Sequence, residues 1–170
     1  MRSSMSEYQQ DFESIIVKYR LSLFKVAATF EADPVIQQDL LQEIFLAIWQ
    51  ALASFKEQSS LHTFIYRVAY NQALTHVTKQ SRKQNYDELT ENIECQHSDI
   101  ESNVNATKSV EYLIRKIGLL PVIERQLVVL SLEGISYNDM AEISGLSVTN
   151  VGVQLNRAKT KLKKLLERKS

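Results

Sequence analysis

Glycine and proline are scarce: the 170-residue chain holds four Gly and two Pro. Short strands joined by tight turns need both residues, so an all-β sandwich or barrel is disfavoured and long helices are the natural use of this sequence. The apolar pattern agrees. Phe12, Ile15, Ile16, Tyr19, Leu23, Val26 and Phe30 recur at steps of three and four, the mark of an amphipathic helix. Asp33-Pro34 opens a second helix, with Asp as N-cap and Pro in the first turn. Its expected buried stripe is Leu41, Phe45, Ile48 and Leu52, beside a face carrying Asp39, Gln42, Glu43, Leu46 and Trp49. A third helix over about 61–82 is expected to bury Leu61, Ile65 and Val68. It presents Arg67, Asn71, Thr75, Thr78 and Arg82 along another side.

The C-terminal half is punctuated more sharply. Pro121 opens a helix carrying Val122, Ile123, Leu127, Val128 and Leu130, and Gly134 closes it. Ser136 and Asp139 resemble a capping box, with Asp in place of Glu or Gln, at the head of a short helix holding Tyr137, Met140, Ala141 and Ile143. Ser144-Gly145-Leu146 reads as a tight turn, and Ser147 can cap the next helix. That helix alternates three- and four-residue steps through Val148, Val151, Leu155, Ala158, Leu162 and Leu165. A polar stripe beside this apolar one holds Asn150, Gln154, Arg157, Lys161, Lys164 and Arg168, and becomes basic toward its end. A short helix, a Gly-containing turn and a polar-faced helix make a helix-turn-helix. The alternative is a solvated face on an ordinary bundle.

Charge separates these halves. Twenty basic and twenty acidic side chains cancel, yet the blocks 1–54, 55–86, 87–114 and 115–170 carry −3, +4, −6 and +5. Local potential governs contact with a polyanion, because fields die away over about 8–10 Å in physiological salt. Two basic segments therefore flank an acidic one. From Asp87 to Asn105 the chain is rich in Glu, Asp, Asn, Ser and Gln, with apolar residues at irregular spacing. Such a stretch buries too little surface to offset its ordering entropy and reads as a flexible linker. The expected fold is all-α, with two small helical bundles over 1–84 and 108–170 and a flexible acidic linker at 85–107.

Several chemistries find no support. One cysteine, Cys95, has no intrachain partner, which favours a reducing compartment. No run of about 18 apolar residues is present, and the first residues lack the apolar core of a signal peptide, so a cytoplasmic protein without membrane insertion is expected. Cys95 and His97 lack a second ligand pair, and His62 and His76 are close to four helical turns apart. Asp39 and Glu43 at i,i+4 spacing have no histidine with them. No phosphate loop or nucleophile motif occurs, so no enzyme, cofactor or small-molecule substrate is expected.

Residues Gln38-Asp39-Leu40-Leu41-Gln42-Glu43-Ile44-Phe45-Leu46-Ala47-Ile48-Trp49, with Thr63-Phe64-Ile65-Tyr66-Arg67-Val68-Ala69-Tyr70-Asn71, resemble region 2 of bacterial σ factors of the extracytoplasmic-function (ECF) type. Leu120-Pro121, Arg125, Glu133-Gly134-Ile135-Ser136-Tyr137, Met140-Ala141, Leu146-Ser147 and Asn156-Arg157-Ala158-Lys159 resemble region 4 of the same family. The resemblance implies a promoter-specificity subunit. Its region 2 would bind the β′ clamp of core RNA polymerase and open the −10 element. Its region 4 would bind the β flap and read the −35 element. By the same resemblance Asp39, Gln42, Glu43, Leu46 and Trp49 would face the clamp. The loop from Phe55 to Ser60, including Lys56 and Ser59, would capture a flipped −10 base next to Asn71, with Arg67, Lys79, Arg82 and Lys83 on phosphates. Thr149, Asn150 and Gln154 would meet −35 base edges, Arg157 and Lys161 would reach bases or phosphates, and Arg125 would touch the backbone. An anti-σ factor is a further implied partner.

Some positions depart from the family. It usually has Trp at Phe64, an acidic residue at Thr75 and Arg at Thr78, and Thr-Val-Lys where Asn150-Val151-Gly152 stands. Gly152 inside a helix costs about 1 kcal/mol relative to Ala, which suggests either a close approach to a partner or a tolerated weakness. Two other readings remain: a helix-turn-helix regulator whose residues 1–84 are a sensory or dimerisation bundle, and a protein-binding helical adaptor.

Overall fold

The computed structural model describes residues 7–87 and 105–168, and their regular structure is helical throughout. In chain order the helices are α1 (Glu7–Gln10), α2 (Phe12–Phe30), α3 (Pro34–Leu52), α4 (Leu61–Asp87), α5 (Asn105–Gly118), α6 (Val122–Leu132), α7 (Tyr137–Ser144) and α8 (Val148–Glu167). Helix α4 runs past the expected end near 82. Of the segment read as a linker, residues 88–104 lie outside the described residues.

Local chemistry sets the helix ends. The Asp33 carboxylate accepts the amides of Val35 (2.8 Å) and Ile36 (3.4 Å), and Pro34 occupies the first turn, where no amide donor is required. At α7 the Ser136 hydroxyl accepts the Asp139 amide at 3.1 Å and donates to the Asp139 carboxylate at 2.7 Å, a variant of the capping box. Ser147 caps α8 through the Asn150 amide at 3.2 Å. Gly134 and Gly145 take φ of +74° and +73°, the left-handed conformation that stops α6 and α7 without the clash a Cβ would bring.

Helices α2, α3 and α4 pack together as one bundle, and α6, α7 and α8 form a second. Helix α5 leans on α2 and α8, while α7 lies against α4. Buried side chains of both bundles consequently form one continuous cluster, from Leu23, Ile44 and Ile65 to Leu127, Met140 and Leu155.

Two expected stripes are shifted. Helix α3 buries Leu40, Ile44, Ile48 and Leu52, leaving Leu41 and Phe45 only partly covered. Its core face lies one residue earlier because α2 and α4 both press on it. Helix α4 buries Ile65 as expected, with Tyr66, Ala69, Tyr70 and Ala73, whereas Leu61 and Val68 are half-buried. Helix α4 is covered from two sides, by α2–α3 and by α7, so its core face is broader than a three-helix bundle requires.

Gly152 lies in the first half of α8, where an added Cβ would meet the Tyr137 ring at 3.6 Å, an ordinary contact. The packing leaves room for a methyl group. Gly152→Ala is expected to stabilise the fold by about 1 kcal/mol, measured as a raised urea midpoint at unchanged slope; a lowered midpoint would overturn the helix placement.

Candidate polymerase and nucleic-acid interfaces

Along α3, Asp39, Gln42, Glu43, Leu46 and Trp49 are all exposed on one side. Leu46 keeps 55% and Trp49 36% of its accessible surface, so the tryptophan is not a core residue of the bundle. Glu43 is steadied from α4 by the Gln72 amide, 3.0 Å away. An exposed aromatic and a leucine among polar side chains is the composition of an interface anchor.

The second face runs along α4. Arg67, Asn71, Thr75, Lys79 and Arg82 follow one side over about 22 Å. Asn71, Thr75, Lys79 and Arg82 are exposed. Thr75 and Thr78 turn their hydroxyls back onto the carbonyls of Asn71 (2.8 Å) and Leu74 (2.9 Å), so at these positions polar groups serve the helix itself. Arg67 bends toward the preceding loop, where it donates to the Ser59 hydroxyl at 3.4 Å, and it forms an ion pair with Glu142 of α7.

The loop between α3 and α4 is built differently from the sequence expectation. Lys56 is exposed and Ser59 half-buried. The Phe55 ring, however, is held between two others: 4.5 Å from Phe64 and edge-on to Tyr8 of α1 at 5.0 Å. Phe55 therefore props the loop, and Phe64 packs partly buried beneath it. Tyr8 also donates to the Glu57 carboxylate, at the one non-glycine residue of positive φ (+55°) among the described residues. Burial does not explain that backbone, since Glu57 is exposed. Tyr8 escaped the sequence reading because it precedes the first long periodic run. Its only signal was an aromatic ahead of the Phe12 stripe.

In the second bundle, Thr149, Asn150 and Arg157 are exposed and Gln154 half-buried on one side of α8, spread over about two turns. Lys161 continues this row, but its amine lies 2.6 Å from the Glu124 carboxylate of α6, a residue only 4% exposed. Arg125 is not at the surface row. Its guanidinium donates to the carbonyls of Leu120 (3.0 Å) and Thr29 (3.3 Å) and stacks 5.2 Å above Phe30 of the first bundle. Burial lowers its pKa from the usual arginine value. Among the described residues no three His, Cys, Asp or Glu gather as a metal site. His62 approaches the Tyr19 hydroxyl at 3.4 Å and His76 the Glu31 carboxylate at 2.8 Å. Cys95 and His97 lie outside the described residues. No helix among them is long and apolar enough to cross a membrane.

An exposed α3 row ending in a leucine and a tryptophan, a basic α4 face and a helix-turn-helix with an exposed polar row are surfaces suited to a subunit that joins a protein machine to DNA. Comparison with known proteins agrees on both halves: residues 15–83 match σ-70 region 2 and residues 111–162 match σ-70 region 4. The chain belongs to the σ-70 family of RNA polymerase σ factors, in its ECF branch, and serves promoter recognition with RNA polymerase. It is 29% identical to the RNA polymerase sigma-H factor of Pseudomonas aeruginosa over 92% of this chain and 86% of that one. It is also 30% identical to the ECF sigma-E factor of Haemophilus influenzae over 71% and 69%, and 26% identical to that of Escherichia coli K12 over 89% and 84%. Its fold is shared with σ factor RpoE of Bartonella quintana, solved with the anti-σ factor NepR. There the TM-score is 0.73 at 20% identity, covering 95% of this chain and 99% of that one. CnrH, solved with the cytosolic domain of CnrY, matches with a TM-score of 0.67 at 22% identity over 97% and 93%. The family consists of initiation factors that are not enzymes.

The Lys161–Glu124 pair has a measurable consequence. Lys161→Ala leaves a buried carboxylate without its cation and is expected to lower stability by about 1–2 kcal/mol, discounted because the lysine is half-exposed. Arg157→Ala, on the same exposed row, should stay within about 0.5 kcal/mol in the same urea titration. Equal effects of the two would contradict the pairing.

Proposed function

We propose that promoter recognition by this σ factor is divided between the α3–α4 bundle, residues 1–84, and the helix-turn-helix bundle, residues 108–170, with residues 85–107 between them. The α3 face of Asp39, Gln42, Glu43, Leu46 and Trp49 docks on the β′ clamp. Lys56, Ser59, Arg67, Asn71, Lys79 and Arg82 hold the opened −10 strand, with Phe55 as the support of the base-holding loop. Thr149, Asn150 and Gln154 read −35 base edges in the major groove, and Arg157 and Lys161 act on flanking bases or phosphates. The observation that carries this reading is the single exposed α3 row ending in Leu46 and Trp49, which a sensory bundle does not need, while the basic stripe of α8 argues against a protein-binding adaptor.

The chemistry is that of binding. Strand separation exposes bases that must be kept out of the stack, and a polar pocket beside a row of cations supplies that at low cost. Asn71 offers an amide to a base edge, while Lys79 and Arg82, one helical turn apart, follow the phosphates. The helix-turn-helix needs only its exposed row, since α7 crosses the backbone and α8 enters the groove. Arg125 then serves as the internal brace of this unit in place of a direct phosphate contact. A cytoplasmic location and capture by an anti-σ factor follow from the same reading. RpoE, which shares the fold, was solved with an anti-σ factor.

Two measurements test the assignment. Arg157→Glu should weaken −35 duplex binding about tenfold or more and reduce the salt slope by about one, whereas unchanged affinity and slope would remove α8 from the groove. The double change Asp39→Ala with Trp49→Ala should abolish most binding to core polymerase in a pull-down, while duplex binding through α8 persists; wild-type holoenzyme formation would sink the clamp placement.

A further inference from the structure

The segment from Phe55 to Ser60 turns the chain from α3 into α4, yet it contains neither glycine nor proline. Local chemistry fixes its two ends. The Ser54 amide and hydroxyl both donate to the Ala51 carbonyl at 3.0 Å. At the head of α4 the Ser60 hydroxyl accepts the Thr63 amide at 3.1 Å. The middle of the turn falls on Glu57, whose φ of +55° is a conformation that a side chain such as glutamate rarely adopts. Glu57 is exposed, so core packing does not hold it there.

The hold comes from far along the chain. Tyr8 of α1, 49 residues earlier, donates its hydroxyl to the Glu57 carboxylate, and its ring stands edge-on to Phe55 at 5.0 Å. Phe55 in turn lies 4.5 Å from Phe64 in the first turn of α4. Three rings thus run from α1 through the loop to α4, and α1 itself rests on α2 and α3. The hydrogen bond to Glu57 raises the Tyr8 pKa above the ordinary tyrosine value, so the hydroxyl stays a donor through the neutral range. Both ends of the side chain are in use: the ring supports the loop and the hydroxyl ties the Glu57 acid toward α1. Left untied between Lys56 and Ser59, that carboxylate would repel phosphates and compete as an acceptor for base-edge amines.

We propose that Tyr8 is a positioning residue for −10 selectivity, holding the Phe55–Ser60 loop in the one shape that presents Lys56 and Ser59 to a base. The proposal rests on the reading of this loop as the holder of a flipped −10 base. Tyr8 itself touches no nucleotide. It acts on selectivity because a loop with several shapes accepts several bases, whereas a preorganised loop bears its ordering cost before the base arrives. Helix α1 then belongs to the promoter-reading unit, although it precedes the first long helix.

Holoenzyme assembled from core polymerase and the full chain carries the first readout. It is offered a pool of single-stranded oligonucleotides with a randomised segment, and the bound sequences are counted. The ratio of best to worst base at the most selective position measures discrimination. Tyr8→Phe keeps the ring and loses the hydroxyl, and should lower that ratio about fivefold, the scale of a hydrogen bond to an exposed carboxylate. Tyr8→Ala also loses the ring contact and should lower it about twentyfold. The second readout needs no DNA: a lysine-specific protease cuts the full chain after the exposed Lys56, and that cleavage should quicken by similar factors. In a Glu57→Gly background, where positive φ is unstrained and the carboxylate is gone, Tyr8→Phe should shift either readout by less than about twofold. Circular dichroism confirms that each variant is folded, and the milder Tyr8→Phe serves if the alanine variant is not. Unchanged selectivity in folded variants overturns the proposal; faster cleavage without a change in selectivity overturns it equally, leaving Tyr8 a structural prop. Selectivity untouched by Lys56→Ala with Ser59→Ala would strike the −10 reading of the loop instead, while the cleavage rates still decide whether Tyr8 sets its shape.

Discussion

Burial of α4 against elements of both bundles is the constraint from which most of the structure follows. A helix in a three-helix bundle needs one apolar face of about 100°, but Ile65, Tyr66, Ala69, Tyr70 and Ala73 together span an arc of about 140°. One part of that surface closes the bundle with α2 and α3, and the rest is covered by α7. The remaining strip is what is left for polar work, and Asn71, Thr75, Lys79 and Arg82 occupy it. Arg67 sits at the border, half-buried between the loop and α7, which explains why it is the member of the row already engaged by an acid. Tyr70 shows the cost: its hydroxyl is fully buried without a hydrogen-bond partner, and burial, with Tyr66 and Glu133 nearby, raises its pKa well above the ordinary value.

Much of this was legible in the chain. Helix ends were, because capping chemistry is local: Asp33-Pro34, Ser136 with Asp139, Gly145 and Ser147 act within three or four residues. The exposed α3 row was legible too, since a leucine and a tryptophan among Asp, Gln and Glu contradict a simple core stripe. The exact core register was not. Leu40 and Leu41, or Ile44 and Phe45, are equally apolar neighbours, and only the directions of α2 and α4 select Leu40 and Ile44. The same limit hid Arg125 and Lys161. Each stands where a DNA contact is expected in sequence order, and each also meets a group far along the chain: the Thr29 carbonyl, 96 residues away, accepts from Arg125, and the Glu124 carboxylate, 37 residues away, pairs with Lys161. Tyr8 was missed for a similar reason, as its partners Phe55 and Glu57 lie some fifty residues downstream.

Charge segregation in the sequence acquires a physical sense from these pairings. The basic and acidic totals cancel, but the pairs that form between bundles, Lys25–Glu133 and Arg67–Glu142, each take a cation from region 2 and an acid from region 4. Under the proposed −10 role of this face, a polyanion entering it would compete with Glu142 for Arg67. The hydrocarbon buried where the two bundles share one continuous cluster does not answer to DNA in this way, because burying apolar surface does not discriminate between partners. Polar docking answers to the field around it, and interfaces between domains of one chain are generally of this more polar, separable kind. The loop before α4 is ordered at smaller scale: Phe55 is fixed by Tyr8 and Phe64, so under the proposed function Lys56 and Ser59 would meet a base from above a rigid aromatic floor and not beside a mobile ring.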